Sequence, residues 1–88
     1  MKPKLDKEIW VKFEVGGCID FYKEKVIALG KDMFFHAGAL DNCLVEEYRR
    51  PLYYEDYGIT WFTSLSQIKK QYKVKKIDDD YYEEVYNG

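Results

Sequence analysis

Apolar and polar positions alternate most clearly over residues 8–15, Glu-Ile-Trp-Val-Lys-Phe-Glu-Val. Ile9, Val11, Phe13 and Val15 fall on one side and Trp10, Lys12 and Glu14 on the other, which predicts a strand. Gly16-Gly17 and a second strand, Cys18 to Tyr22, complete a predicted hairpin. A two-residue loop at the glycines would set Asp20 on the apolar side and expel Ile19 and Phe21. A three-residue loop, Val15-Gly16-Gly17, instead sets Phe13 opposite Ile19 and Val11 opposite Phe21. It also sets Lys12 opposite Asp20 and Trp10 opposite Tyr22, cross-strand pairs worth about 0.2–1 kcal/mol each. The three-residue loop is the expected register, with Gly17 at its left-handed position.

Further along, Val26–Leu29 and Met33–His36 read as two strands around Gly30-Lys31-Asp32, favoured by the β-branched Val26-Ile27. A short helix capped by Asp20 and ending at Gly30 is the alternative. Ala37-Gly38-Ala39 reads as a loop. Residues 41–48 read as a short helix capped by Asp41, with Leu44 and Tyr48 on one face, or as a strand, ended by Pro51. Glu55-Asp56-Tyr57-Gly58 is a turn, and Ile59–Thr63 a strand that pairs back onto Leu52-Tyr53-Tyr54. Ser64-Leu65-Ser66-Gln67 has the pattern of a capping box. A helix from Leu65 to about Tyr72 should follow, burying Leu65, Ile68 and Tyr72 against the Ile9/Val11/Phe13 side. Lys73–Ile77 is the last strand candidate. This order predicts a small α+β domain over residues 1–88: a mostly antiparallel curved sheet, or small open barrel, with one or two short helices.

Composition sharpens this picture. The chain has 88 residues, 18% of them aromatic, with nine Tyr, five Phe and two Trp. Large rings let a short chain build a core without disulfides or metal. The net charge of -2 argues against strong non-specific binding to DNA or anionic membranes. Residues 1–15 do not resemble a signal peptide, and no apolar run approaches a membrane span. With only Cys18 and Cys43, two reduced thiols are expected, and with them a cytoplasmic location.

Candidate chemistry is sparse. Cys18, His36 and Cys43 would have to converge from separate elements to form a nucleophile–base pair or a zinc site, and structural roles are expected instead. The carboxylate pairs Glu46-Glu47 and Glu55-Asp56 and the run Asp78-Asp79-Asp80 read as solvated acidic segments. Gly16-Gly17 lacks the residues of a phosphate loop. No catalytic set and no cofactor are expected.

Two surfaces stand out. Residues 78–88 are acidic and tyrosine-rich, and Asp78, Asp79, Asp80, Tyr81, Tyr82, Glu83 and Glu84 suit a protein partner with a basic surface. The competing expectation for this segment is a final edge strand or a frayed terminus. The second surface is Lys69, Lys70, Lys73, Lys75 and Lys76 with Tyr53, Tyr54 and Trp61, which would serve single-stranded nucleic acid. The functional expectation is a non-enzymatic protein-binding module, by analogy of size an inhibitor or regulator of phage or mobile-element type. A small nucleic-acid-binding domain is the alternative.

Overall fold

A computed structural model describes residues 1–38 and 51–86. Strands β1 (Glu8–Val15) and β2 (Cys18–Leu29) form the predicted antiparallel hairpin. They are followed by β3 (Met33–Gly38), β4 (Leu52–Tyr53), a single 3-10 turn at Tyr54–Asp56 and β5 (Trp61–Phe62). Helix α1 (Leu65–Gln71), β6 (Val74–Asp78) and β7 (Tyr81–Glu84) complete the described elements. The strands make one 7-stranded sheet in the order β4-β3-β2-β1-β5, with β7 also on β2 and β6 outside β7. The ladders are antiparallel, so the α+β expectation holds in a mostly β form. Residues 41–48 lie outside the described residues.

The ambiguous stretch is strand, and β2 runs unbroken for 12 residues. One edge of β2 pairs with β1; the other carries β7 along Asp20–Tyr22 and β3 along Glu24–Leu29. A register shift between Val26 and Ala28 marks a bulge, which bends a strand and increases its twist. The resulting curl can be measured. Phe13 pairs with Asp20 and His36 with Val26, positions that lie about 20 Å apart on a flat strand. The Phe13 and His36 rings nevertheless approach to 6.4 Å between centroids. The sheet is therefore a half-barrel with Phe13 and His36 on its concave face.

Each face carries its own core. On the concave face Ile9, Val11, Val26, Phe34 and Trp61 are buried, with Phe13, Leu52, Tyr54 and Tyr57 packed against them. On the convex face Trp10, Phe21, Phe62 and Ile68 are buried beneath Ile19, Leu65, Tyr72, Val74 and Tyr82. The Leu65/Ile68/Tyr72 stripe thus covers the Trp10/Phe21 side, opposite to the expected one. Ser64 caps α1 as its motif requires, its hydroxyl accepting from the Gln67 N–H at 3.3 Å. The Gln67 side chain reaches one residue further back than a capping box, accepting from the Thr63 N–H at 3.1 Å.

The two-sided core overturns the expected hairpin register. Val15 pairs with Cys18, Phe13 with Asp20, Lys12 with Phe21 and Trp10 with Lys23. The loop is the two residues Gly16-Gly17, at φ 59° and 81°. Positive φ at both central positions is the type I′ arrangement, whose twist suits a hairpin. Phe13 and Phe21 consequently lie on opposite faces. The three-residue loop keeps them together, but α1 gives Phe21 its own cover, so nothing is lost by separating them. Because an added Cβ at Gly17 meets nothing within 4 Å, substitution there tests backbone strain alone. Gly17→Val should cost roughly 1–2 kcal/mol in urea denaturation, and Gly17→Asn much less. Equal stability of Gly17→Val and the wild type would rule out the positive-φ turn.

Three other expectations change. Leu52–Tyr53 pairs with β3, and Trp61–Phe62 pairs with β1 through Val11 and Trp10, so the two segments do not pair with each other. Ala37 and Gly38 belong to β3 rather than a loop. In the C-terminal segment β7 is not the expected edge strand: it lies between β2 and β6. Among the described strands β6 is the one outside it, and its exposed Lys75 and Lys76 precede a second bulge, between Lys76 and Asp78.

Candidate protein-binding surface

Alternation along β7 divides the acidic, tyrosine-rich segment between two faces. Tyr82 pairs with Phe21 and joins the convex core, edge-on to Trp10 at 5.5 Å. Lys69 of α1 sits 5.9 Å over the Tyr82 ring. Tyr81 pairs with Tyr22 and Glu83 with Asp20, which places these four side chains on the concave face. Asp79 and Asp80 form the turn between β6 and β7, where Asp79 accepts an ion pair from Lys76 at 2.7 Å and Asp80 lies 3.7 Å from Lys23. The hydrogen bond between Lys76 and Asp79 raises the lysine pKa and lowers that of the carboxyl. The seven residues named from the sequence therefore divide: Tyr81 and Glu83 join Asp20 and Tyr22, with Asp78 paired to Tyr81 on the same face, whereas Tyr82 and Glu84 alternate to the other face and Asp79 and Asp80 form the turn.

That joined group lies on the concave face toward the diglycine end of β2, at half-buried positions. The Tyr22 and Tyr81 rings stack at 4.5 Å with an interplanar angle of 1°. Phe13 stands edge-on to Tyr22 at 5.3 Å. The Tyr81 hydroxyl donates to Glu83 Oε1 at 2.5 Å. This bond favours the protonated phenol and pushes the Tyr81 pKa well above its ordinary value of 10.0; burial raises that of Tyr22. Both phenols thus stay neutral across the physiological range and present rings and O–H groups rather than charge. Asp20 and Glu83 are direct cross-strand neighbours, an arrangement of like charges that weakens a sheet. The nearest compensation is Lys75, whose Nζ lies 4.0 Å from Glu83.

Deeper on the same face is a pair that sequence reading missed. Glu24 is only 2% exposed and is the one buried charged residue among those described. Neither of its oxygens has a hydrogen-bond partner there. His36 Nδ1 is 3.8 Å from Glu24 Oε1, beyond hydrogen-bond reach, and is likewise buried without a partner. The signal was available: Asp20, Tyr22, Glu24 and Val26 alternate along β2, but the predicted strand stopped at Tyr22.

The lysine surface is not assembled as a single-strand binder would need. Trp61 is fully buried in the concave core, its indole N–H donating to the Tyr53 carbonyl at 2.9 Å. Tyr54 stacks on Phe34 and donates to the Gly30 carbonyl at 2.7 Å. Of the three proposed stacking rings only Tyr53 is exposed. Lys75 and Lys76 face Glu83 and Asp79, while Lys69, Lys70 and Lys73 are exposed along α1 and just beyond it. Cys18 is an exposed thiol at the diglycine end of β2, whereas His36 pairs near the other end, so the two are not brought together. Cys43 lies outside the described residues. Among the described residues no group of three or more His, Cys, Asp or Glu is placed to hold a metal ion, and no helix is long and apolar enough to cross a membrane.

Comparison with protein-family models, with curated proteins and with solved structures finds no match to this chain.

Proposed function

We propose that this chain is a non-enzymatic protein-binding module that offers the acidic, tyrosine-lined mouth of its half-barrel to a protein with a basic surface. One observation carries the reading: Asp20 and Glu83 face each other across the sheet beside the Tyr22/Tyr81 stack. Like charges held side by side cost stability, and a cationic partner relieves that cost on binding. Stacked tyrosines are rigid and amphipathic, the side-chain type enriched among binding anchors. The role that fits is an inhibitor or regulator of mobile-element type, working in the cytoplasm, where the Cys18 thiol stays reduced. The burial of Trp61, the packing of Tyr54 against the concave core and the pairing of Lys75 and Lys76 weigh against the nucleic-acid alternative.

A charge reversal tests this reading while keeping the sheet. Asp20→Lys/Glu83→Lys exchanges one like-charge cross-strand pair for another and gives up the Tyr81 hydrogen bond and the exposed Lys75 ion pair, contacts small enough that the fold should persist by circular dichroism. Affinity capture from the cell of origin should recover a protein that binds the wild type in a salt-sensitive way and the variant at least about tenfold less. Equal recovery by both, or recovery of nucleic acid in place of protein, would overturn the proposal.

A further inference from the structure

We infer that Glu24 is the anchor of this surface, a carboxylate held at the inner end of the mouth to receive an arginine side chain of the partner protein. This rests on the protein-binding reading and specifies the chemistry of the partner.

The starting point is a cost without a visible return. Glu24 pairs with Ile9 and precedes Val26 on the concave face, both members of the apolar core. An aliphatic side chain at this position would extend that core. The carboxylate instead gives up its water and gains no hydrogen bond among the described residues. His36, with its own Nδ1 unpaired, stands 3.8 Å away, close enough to attract and too far to bond. Buried polar atoms of native proteins are nearly always satisfied, so two acceptors with no donor among the described residues call for one from outside them.

The surroundings select the donor. Toward the mouth, Glu24 is followed on its face by Tyr22 and then Asp20, with Tyr81 and Glu83 beside them on β7. Phe13 makes edge contacts to both Tyr22 and His36 and is half-buried, so its ring bridges the outer group and the Glu24/His36 pair. Carboxylates among aromatic rings suit an organic cation. A guanidinium is planar, stacks on such rings, bonds a carboxylate through two parallel N–H groups and sheds water more readily than an ammonium. Arginine therefore fits better than lysine.

The test uses the full chain, isotopically labelled, and three small probes followed by NMR: N-acetyl-arginine amide, N-acetyl-lysine amide and the neutral N-acetyl-citrulline amide. The arginine probe should give saturable shifts at the Glu24 and His36 signals. The lysine probe should bind at least about threefold more weakly, and the citrulline probe should give no saturable shift. In Glu24→Gln, which keeps shape and removes charge, arginine-probe affinity should fall at least about tenfold. The absence of saturable shifts at Glu24 and His36, equal shifts from arginine and citrulline, or unchanged affinity in E24Q would overturn the anchor. The three-probe comparison in the wild type decides the matter even if E24Q folds poorly. The two readings fail separately. If E24Q keeps the probe and the partner while Asp20→Lys/Glu83→Lys loses the partner, the anchor falls and the surface stands. If charge reversal leaves partner binding intact, the surface reading itself falls.

Discussion

Removal of residues 79–88 should abolish cooperative folding. Strand β7 pairs with β2 on one side and β6 on the other, so its loss breaks two ladders and leaves β6 with no neighbour among the described strands. Tyr82 goes with it, uncovering Trp10 and Phe21 on the convex face. So does the Val85 N–H, which donates to the Lys73 carbonyl at 2.8 Å. Together these losses approach the whole of the roughly 5–10 kcal/mol that holds a domain of this size. Thermal melting followed by circular dichroism should show no cooperative transition in the truncated chain. A sharp melt within a few degrees of the wild type would mean that β7 is dispensable and wrongly placed. Truncation is therefore the wrong test of the interface, and charge reversal on an intact sheet is the right one.

Trp61→Ala should be the most damaging single substitution on the concave face, costing about 3–5 kcal/mol. The indole is fully buried, meets Phe34 edge-on at 5.0 Å and Tyr57 at 4.8 Å, and donates to the Tyr53 carbonyl. Alanine would leave a void that rigid rings cannot collapse to fill, and would strand that carbonyl's partner site. Because β5 is only Trp61 and Phe62, the same change weakens its attachment to β1. The midpoint of urea denaturation measures the effect. A loss below about 1 kcal/mol would show that the concave cluster is not a core.

Local chemistry was the legible part of this fold. Gly16-Gly17 marked the hairpin, Gly30 the next turn, and Ser64 with Gln67 the start of α1, because each acts through its immediate neighbours. Register was not legible. Choosing it by gathering Ile9, Val11, Phe13, Ile19 and Phe21 on one side presumes a single buried face, and this chain has two. Trp10 and Phe21 are then as much core as Val11 and Trp61. The pairings of β7 with β2 and of β4 with β3 join segments far apart in the chain, and no short-range pattern announces them. The same gap hid the surface. Asp20, Tyr22, Tyr81 and Glu83 become neighbours only through the β2–β7 ladder, and Glu24 becomes conspicuous only once β2 is seen as one strand.

The lysine-bearing outer strand β6 has a consequence for how the molecule behaves in a crowd. Along its outer margin no strand among the described residues uses its backbone donors and acceptors, and Val74 and Ile77 offer aliphatic stickiness nearby. Two ammonium groups and a kink deny that margin to a second molecule, since stacking would bring like charges into line. Lys75, Lys76 and the bulge beside them are the devices by which sheets discourage edge-to-edge pairing, so the cost of losing those charges would fall on solubility before it fell on the fold.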